Sequence, residues 1–206
     1  MKKNIAVFAS GTGSNFININ NKIKINQINA KICLLVSNNS NSGAVRFCVD
    51  NDINFFIYNH KKFPNDPNNK KLIDKLLFYN INLILLAGYM KKISNTFIDL
   101  FNNKIMNIHP SLLPLYGGKG FYGMKVHEAV FKNKETETGA TIHFVDYHYD
   151  TGPILMQKKV NITQDDSPIE IANKVLKIEH EIYPKAVDFF CDDKILWKNN
   201  KPIIKE

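Results

Sequence analysis

Arginine is nearly absent from this chain: of 27 basic residues only Arg46 is an arginine, and the others are lysines. A surface built to read DNA bases or to clasp phosphates with two parallel N–H bonds uses the planar guanidinium, which lysine cannot imitate. The scarcity of arginine therefore points away from nucleic acid, and the net charge of +8 signals either anionic small-molecule partners or only a lysine-rich composition. Cysteine is scarce as well. Cys33, Cys48 and Cys191 lie far apart among mostly apolar neighbours, which reads as buried thiols in a reducing cytoplasm and not as a disulfide framework. No apolar run nears the roughly 18 residues that a membrane span requires. The stretch LILLA at 83–87 is strand-sized, and no membrane partner is expected. The N-terminal MKKNIAVFAS opens like a secretory leader, but Gly11 and Asn15 cut its apolar run short, so it reads as a first strand.

What is present suits one globular domain: 206 residues, 44% of them hydrophobic, with no internal repeat, linker or shift in composition. Strand-like and helix-like segments alternate, which predicts an α/β fold with a mostly parallel sheet and helices on both faces. Strands are expected at 4–10, 30–37, 53–58, 81–88 and 104–108, with helices from Asn15, over 42–51 and over 70–80. The character then changes. GATIHFVD (139–146) and GPILMQKKVNI (152–162) alternate like an antiparallel pair, making the sheet mixed. A long helix is predicted over 167–192, with Ser167 as its cap and Pro168 in its first turn. Pro184 should kink or break it.

SGTGSN (10–15) follows the first strand and opens a helix. Gly11 and Gly13 let the backbone turn tightly, and the N–H groups of the helix start, with Ser14 and Asn15, make an anion site. A dinucleotide fingerprint fails, because its third glycine would fall at Phe16 and LLVSNNSNSG supplies no acidic residue after the second strand. A mononucleotide-like phosphate fits better, and a tight turn without ligand remains the alternative.

MNIHPSLLP (106–114) ends a strand with two hydrogen-bonding side chains, then stiffens the backbone with Pro110 and Pro114. Leu113–Pro114 is a candidate cis bond. Ligands of open α/β sheets gather at the carboxyl ends of strands, where Asn107 and His109 are expected. An amide can donate to a developing oxyanion, and an imidazole can move a proton near neutral pH. Asp150, in the turn HYDTGP (148–153), would favour the imidazolium and orient the ring if the two meet. A structural histidine and a turn aspartate remain the alternative.

Taken together, SGTGSN, LLAGYM, MNIHPSLLP, GATIHFVD and HYDTGP are similar, in order and approximate spacing, to the folate-dependent formyltransferases, over about Asn4 to Trp197. The resemblance implies a single Rossmann-like formyltransferase domain over 1–206, with a phosphate-binding part about 1–100 and a folate-binding, catalytic part about 85–206. It implies the substrates glycinamide ribonucleotide and 10-formyltetrahydrofolate, no metal, and a monomer or weak homodimer. Asn107, His109 and Asp150 correspond to the catalytic trio. Gly13, Ser14, Asn15 and Phe16 correspond to the phosphate loop, and Glu179 to the acidic residue near the ribose and glycinamide. Met90, Lys91, Lys92 and Ile93, with Asn107 and the turn Asp146, Tyr147, His148, Tyr149 and Asp150, correspond to the folate pocket. Two relatives share the signature, one with an added tRNA-binding barrel and one with an N-terminal regulatory domain; the length of the chain and the early SGTGSN loop favour the nucleotide acceptor.

The chain departs from the family in offering Lys91 where an arginine commonly faces the folate carboxylates, which keeps charge but loses the fork. LYGGKGFYGMKVHEAV (115–130) is long and glycine-rich and reads as a flap, with Lys119 and Tyr122 near the entrance. His127 begins a helical patch and reads as structural. His143 faces either the site or a neighbouring strand.

Overall fold

The computed structural model describes residues 1–205, and the chain divides into two compact units, Met1–Met106 and Asn107–Glu206. The first unit runs β1 (Lys3–Phe8), α1 (Ser14–Lys24), β2 (Ala30–Ser37), α2 (Gly43–Asp50), β3 (Phe55–Ile57), α3 (Lys70–Phe78), β4 (Leu83–Leu86), α4 (Asn95–Leu100) and the start of β5 (Ile105–His109). Its strands lie in the order β3-β2-β1-β4, and β1 pairs in parallel with both β2 and β4. Such a strand is covered on both faces, which is why IAVFA reads as a continuous apolar run: Ile5 through Ala9 are all fully buried. Ser42 and Ser94 cap α2 and α4 by accepting the Val45 and Phe97 N–H groups.

The second unit takes up the end of β5 and continues with α5 (Met124–Lys132), β6 (Glu137–Phe144), β7 (Ile154–Asn161), α6 (Pro168–Cys191), β8 (Ile195–Lys198) and β9 (Lys201–Ile204). Here the order is β5-β6-β7, with β6 and β7 antiparallel as the alternation predicts. The result is the expected α/β class with a mixed, mostly parallel sheet and an antiparallel pair late in the chain.

Three departures from the sequence reading have physical causes. α6 runs unbroken through Pro184, which is buried. The helix starts on a complete capping box, Ser167 with Glu170, and carries Ile182, Tyr183, Ala186 and Val187 into the core around the proline. Packing of this face outweighs the one backbone bond that proline removes. α4 has six residues, too few to show a helical period. The hairpin β8–β9 was unforeseen, although its turn is signalled by Asn199 and Asn200, both at positive φ (51° and 58°), the conformation a two-residue hairpin loop demands.

Candidate active site

In the first unit α1 starts immediately after Gly13, whose φ of 80° places it in the left-handed region. A side chain there would be strained, and its Cβ would stand 2.8 Å from that of Ala44. The loop is thus seated on the start of α2, where the Ala44 N–H also donates to the Gly11 carbonyl at 3.2 Å. α1 has no acidic residue in its first turn and two lysines in its last, so its N-terminal end can receive an anion. Phe16 is a core residue: its ring is fully buried edge-on to Phe47, so only its backbone can serve a ligand. The 88–93 segment lies beside this loop, with the Ser10 N–H donating to Gly88 and the Met90 N–H to Ser10 Oγ. Met90, Lys91 and Lys92 are exposed there and Ile93 is buried.

In the second unit β5 ends on His109, and the backbone turns at once through Ser111 to the cis Leu113–Pro114 bond. That turn is tied to the antiparallel pair. Thr141 Oγ1 donates to the Ser111 carbonyl (2.6 Å) and accepts the Leu113 N–H, while Gln157 Nε2 donates to the Leu113 carbonyl (2.8 Å). These two polar residues of β6 and β7 position the strand end, and the sequence reading did not single them out.

Asp150 comes to the same place from the β6–β7 connection, itself at a φ of 58°. Asp146 folds that connection by accepting the His148 N–H and the Thr151 hydroxyl, so its side chain is spent on the turn. Gly152 is compelled by close approach, since a Cβ there would lie 1.8 Å from the Phe144 carbonyl oxygen. Tyr147, His148 and Tyr149 are exposed around the turn.

The structure brings the trio together. Asp150 Oδ2 lies 3.6 Å from His109 Nδ1, and Asn107 Nδ2 donates to Asp150 Oδ1 at 3.4 Å. His143 joins them: its Nδ1–H donates to the Phe144 carbonyl, leaving Nε2 to accept from Asn107 Nδ2 at 3.0 Å, and Nε2 is 3.6 Å from Asp150 Oδ1. The alternation of β6 left the direction of His143 open, and the tertiary fold turns it onto the site. His109 Nε2–H donates to the Tyr116 carbonyl at 2.7 Å, and the Gly118 N–H donates to Asp150 Oδ2 at 2.9 Å.

Burial pushes His109 below its ordinary value, and this outweighs the upward pulls of Asp150, which acts in the expected direction, and of the Tyr116 carbonyl; His143 adds a smaller downward push. Burial alone would raise the Asp150 carboxyl, yet His143 and His109, in the protonated forms that can donate to it or carry charge, and the Gly118 N–H hold it below the usual carboxylate range. His127, buried on α5, is lowered to about 4 by burial and by the charge of His109. Glu179 is half-buried on α6, where its charge is felt by the buried Tyr183. Among the described residues no group of three or more His, Cys, Asp or Glu gathers as a metal site, and no helix is long and apolar enough to cross a membrane.

Comparisons with known proteins show the family of the chain. The chain is 41% identical to a chloroplastic phosphoribosylglycinamide formyltransferase of Vigna unguiculata over 99% of its length, and it spans 66% of that relative. It is 35% identical to the phosphoribosylglycinamide formyltransferase of Bacillus subtilis, covering 90% of this chain and 93% of that one. Among solved structures, glycinamide ribonucleotide transformylase 1 from Symbiobacterium toebii superposes with a TM-score of 0.91 at 25% identity, over 100% of this chain and 95% of that one. Phosphoribosylglycinamide formyltransferase from Coxiella burnetii does so with a TM-score of 0.90 at 30% identity, over 99% and 94%. Residues 3–187 match the family described as formyl transferase, and the chain belongs to that family.

Proposed function

We propose that this chain transfers a formyl group from 10-formyltetrahydrofolate to the amine of N1-(5-phospho-D-ribosyl)glycinamide, a step of purine biosynthesis, through one domain of two units. The observation that carries this reading is the convergence of the Asn107 amide, the His109 imidazole and the Asp150 carboxylate at the end of β5, in a chain whose relatives bear that activity in their names. The amine attacks the formyl carbon and a tetrahedral oxyanion forms. Asn107 Nδ2 and protonated His109 stabilise it. Both hydrogens of the Asn107 amide are engaged in the free protein, at 3.0 Å and 3.4 Å, and the longer bond to Asp150 is the one the oxyanion displaces. As the bond from carbon to N10 breaks, His109 gives its proton to N10 and regains one from the former amine, so one amine proton ends on the departing folate. Asp150 keeps the imidazolium accessible against the pull of burial.

In the same reading Gly13, Ser14, Asn15 and the backbone of Phe16 hold the 5′-phosphate, and Glu179 serves the ribose and glycinamide part. Met90, Lys91, Lys92 and Ile93, with the 146–150 turn, take the folate, largely through main-chain groups. We place the chain in the cytoplasm, a choice supported by three buried free cysteines that fit a reducing compartment, and take it as a monomer or weak homodimer. The test is a steady-state assay with 10-formyltetrahydrofolate offering glycinamide ribonucleotide, initiator methionyl-tRNA or water as acceptor. Transfer to the first alone is expected. Turnover only with tRNA or water would overturn the reading.

A further inference from the structure

The mechanism above uses one nitrogen of His109, and the surroundings of the ring say which. Nε2 is committed to the Tyr116 carbonyl at 2.7 Å, a good neutral hydrogen bond, whereas Nδ1 faces Asp150 at 3.6 Å, beyond hydrogen-bond range and open to exchange. The Tyr116 carbonyl is not held there by regular structure. Tyr116 sits in the irregular segment between the Leu113–Pro114 bond and α5, at a φ of 54° that L side chains rarely adopt. Its backbone therefore needs an anchor from elsewhere, and the side chain supplies one. The Tyr116 hydroxyl donates to Glu135 Oε1 at 2.6 Å and accepts from Asn133 Nδ2 at 2.9 Å, both residues of the turn that joins α5 to β6. Two residues further on, the Gly118 N–H grips Asp150. The ring that binds a surface turn and the carbonyl that binds the catalytic imidazole thus belong to one residue.

We propose that Tyr116 is a positioning residue: its phenol, tied to Glu135 and Asn133, holds its carbonyl on His109 Nε2 and leaves Nδ1, on the Asp150 side, as the nitrogen that exchanges a proton with the substrate. The inference rests on the proposed formyl transfer for the last of these clauses only; the fixed tautomer is a property of the free protein. The titratable groups facing His109 are Asp150, His143 and His127, all from the same unit. Because the Gly118 N–H on the same segment also holds Asp150, the tautomer, and not the activity alone, is the readout that isolates the Tyr116 carbonyl.

The experiment compares wild type, Tyr116→Phe and Glu135→Gln by nitrogen-15 NMR of histidine-labelled full-length protein and by steady-state kinetics. In wild type the neutral His109 carries its proton on Nε2. In Tyr116→Phe the phenol bonds are gone, and the His109 signals move toward a mixture of tautomers. Both phenol bonds are lost, and the part of that loss felt at His109, about that of one ordinary hydrogen bond, lowers kcat by about five-fold, while KM for both substrates changes little. Glu135→Gln keeps an acceptor for the phenol and behaves as wild type in both measurements, and a dispersed spectrum of Tyr116→Phe itself guards against a folding defect in that variant. An Nδ1–H tautomer in wild type, or a tautomer and kcat unmoved in Tyr116→Phe, overturns the proposal. A tautomer that responds to Tyr116→Phe in a protein that transfers no formyl group supports the strut and overturns the reading of the reaction instead.

Discussion

Replacing Asp150 by asparagine keeps the shape of the side chain and removes its charge, so it isolates the electrostatic part of the site. In the folded protein that charge lies 3.6 Å from His109 Nδ1, with the two side chains only 13% and 5% exposed, so solvent screens little of the interaction. Coulomb's law at that distance, with an effective dielectric constant of about 20, gives roughly 4–5 kcal/mol between the carboxylate and an imidazolium. If about half of this is retained in the transition state, kcat falls about fifty-fold. The pH dependence has a definite sign. His109 is already pushed below its ordinary value by burial, and Asp150 is the largest upward pull on it. Without that pull the imidazolium deprotonates at lower pH, and the alkaline limb of the kcat profile, which reports loss of the general acid, moves to lower pH. The measurement is kcat against pH for both proteins at saturating substrates. A profile merely scaled down, with its alkaline limb unmoved, would refute the coupling of these two residues in catalysis.

His109→Ala should lower kcat by about a hundredfold or more while glycinamide ribonucleotide binding, followed calorimetrically, stays near wild type; near-normal turnover would remove His109 from the chemistry. Gly13→Ala forces a Cβ into a φ of 80° and to within 2.8 Å of Ala44, so KM for the phosphorylated acceptor should rise while KM for the folate holds, and equal effects on both would dismiss the phosphate loop. His127→Leu tests linkage. His127 titrates at about 4 in the fold against 6.5 when unperturbed, so the unfolded chain binds the extra proton between those values, and stability is present above 6.5 and lost as pH falls toward 4. The loss amounts to about 3 kcal/mol. Urea unfolding at pH 7.5 and pH 4.5 should therefore show a smaller difference for the leucine variant than for wild type.

Local chemistry made much of this protein legible in its sequence. β2 at Ala30–Ser37 was delimited by its apolar run, the start of α6 by a serine cap and a first-turn proline, and the β6–β7 pair by its strand-like pattern. These signals are readable because each depends on a residue and its near neighbours along the chain. The pairing of Asn107 with Asp150 spans 43 residues, and residue type with family resemblance, not periodicity, suggested it. Only the folded chain decided the rest. His143 turned inward because β6 is buried along nearly its whole length, so alternation could not say which face mattered. α6 passed through Pro184 because the helix packs on both sides of it. Burial, which no sequence window reports, decided the net His109 shift: Asp150 pulls it up as its charge predicts, and removing water from the imidazole outweighs that pull. Sequence determined which groups were available and where each strand would deliver them; tertiary packing determined how dry the site is and which nitrogen of His109 faces Asp150, because both depend on atoms brought close from distant parts of the chain.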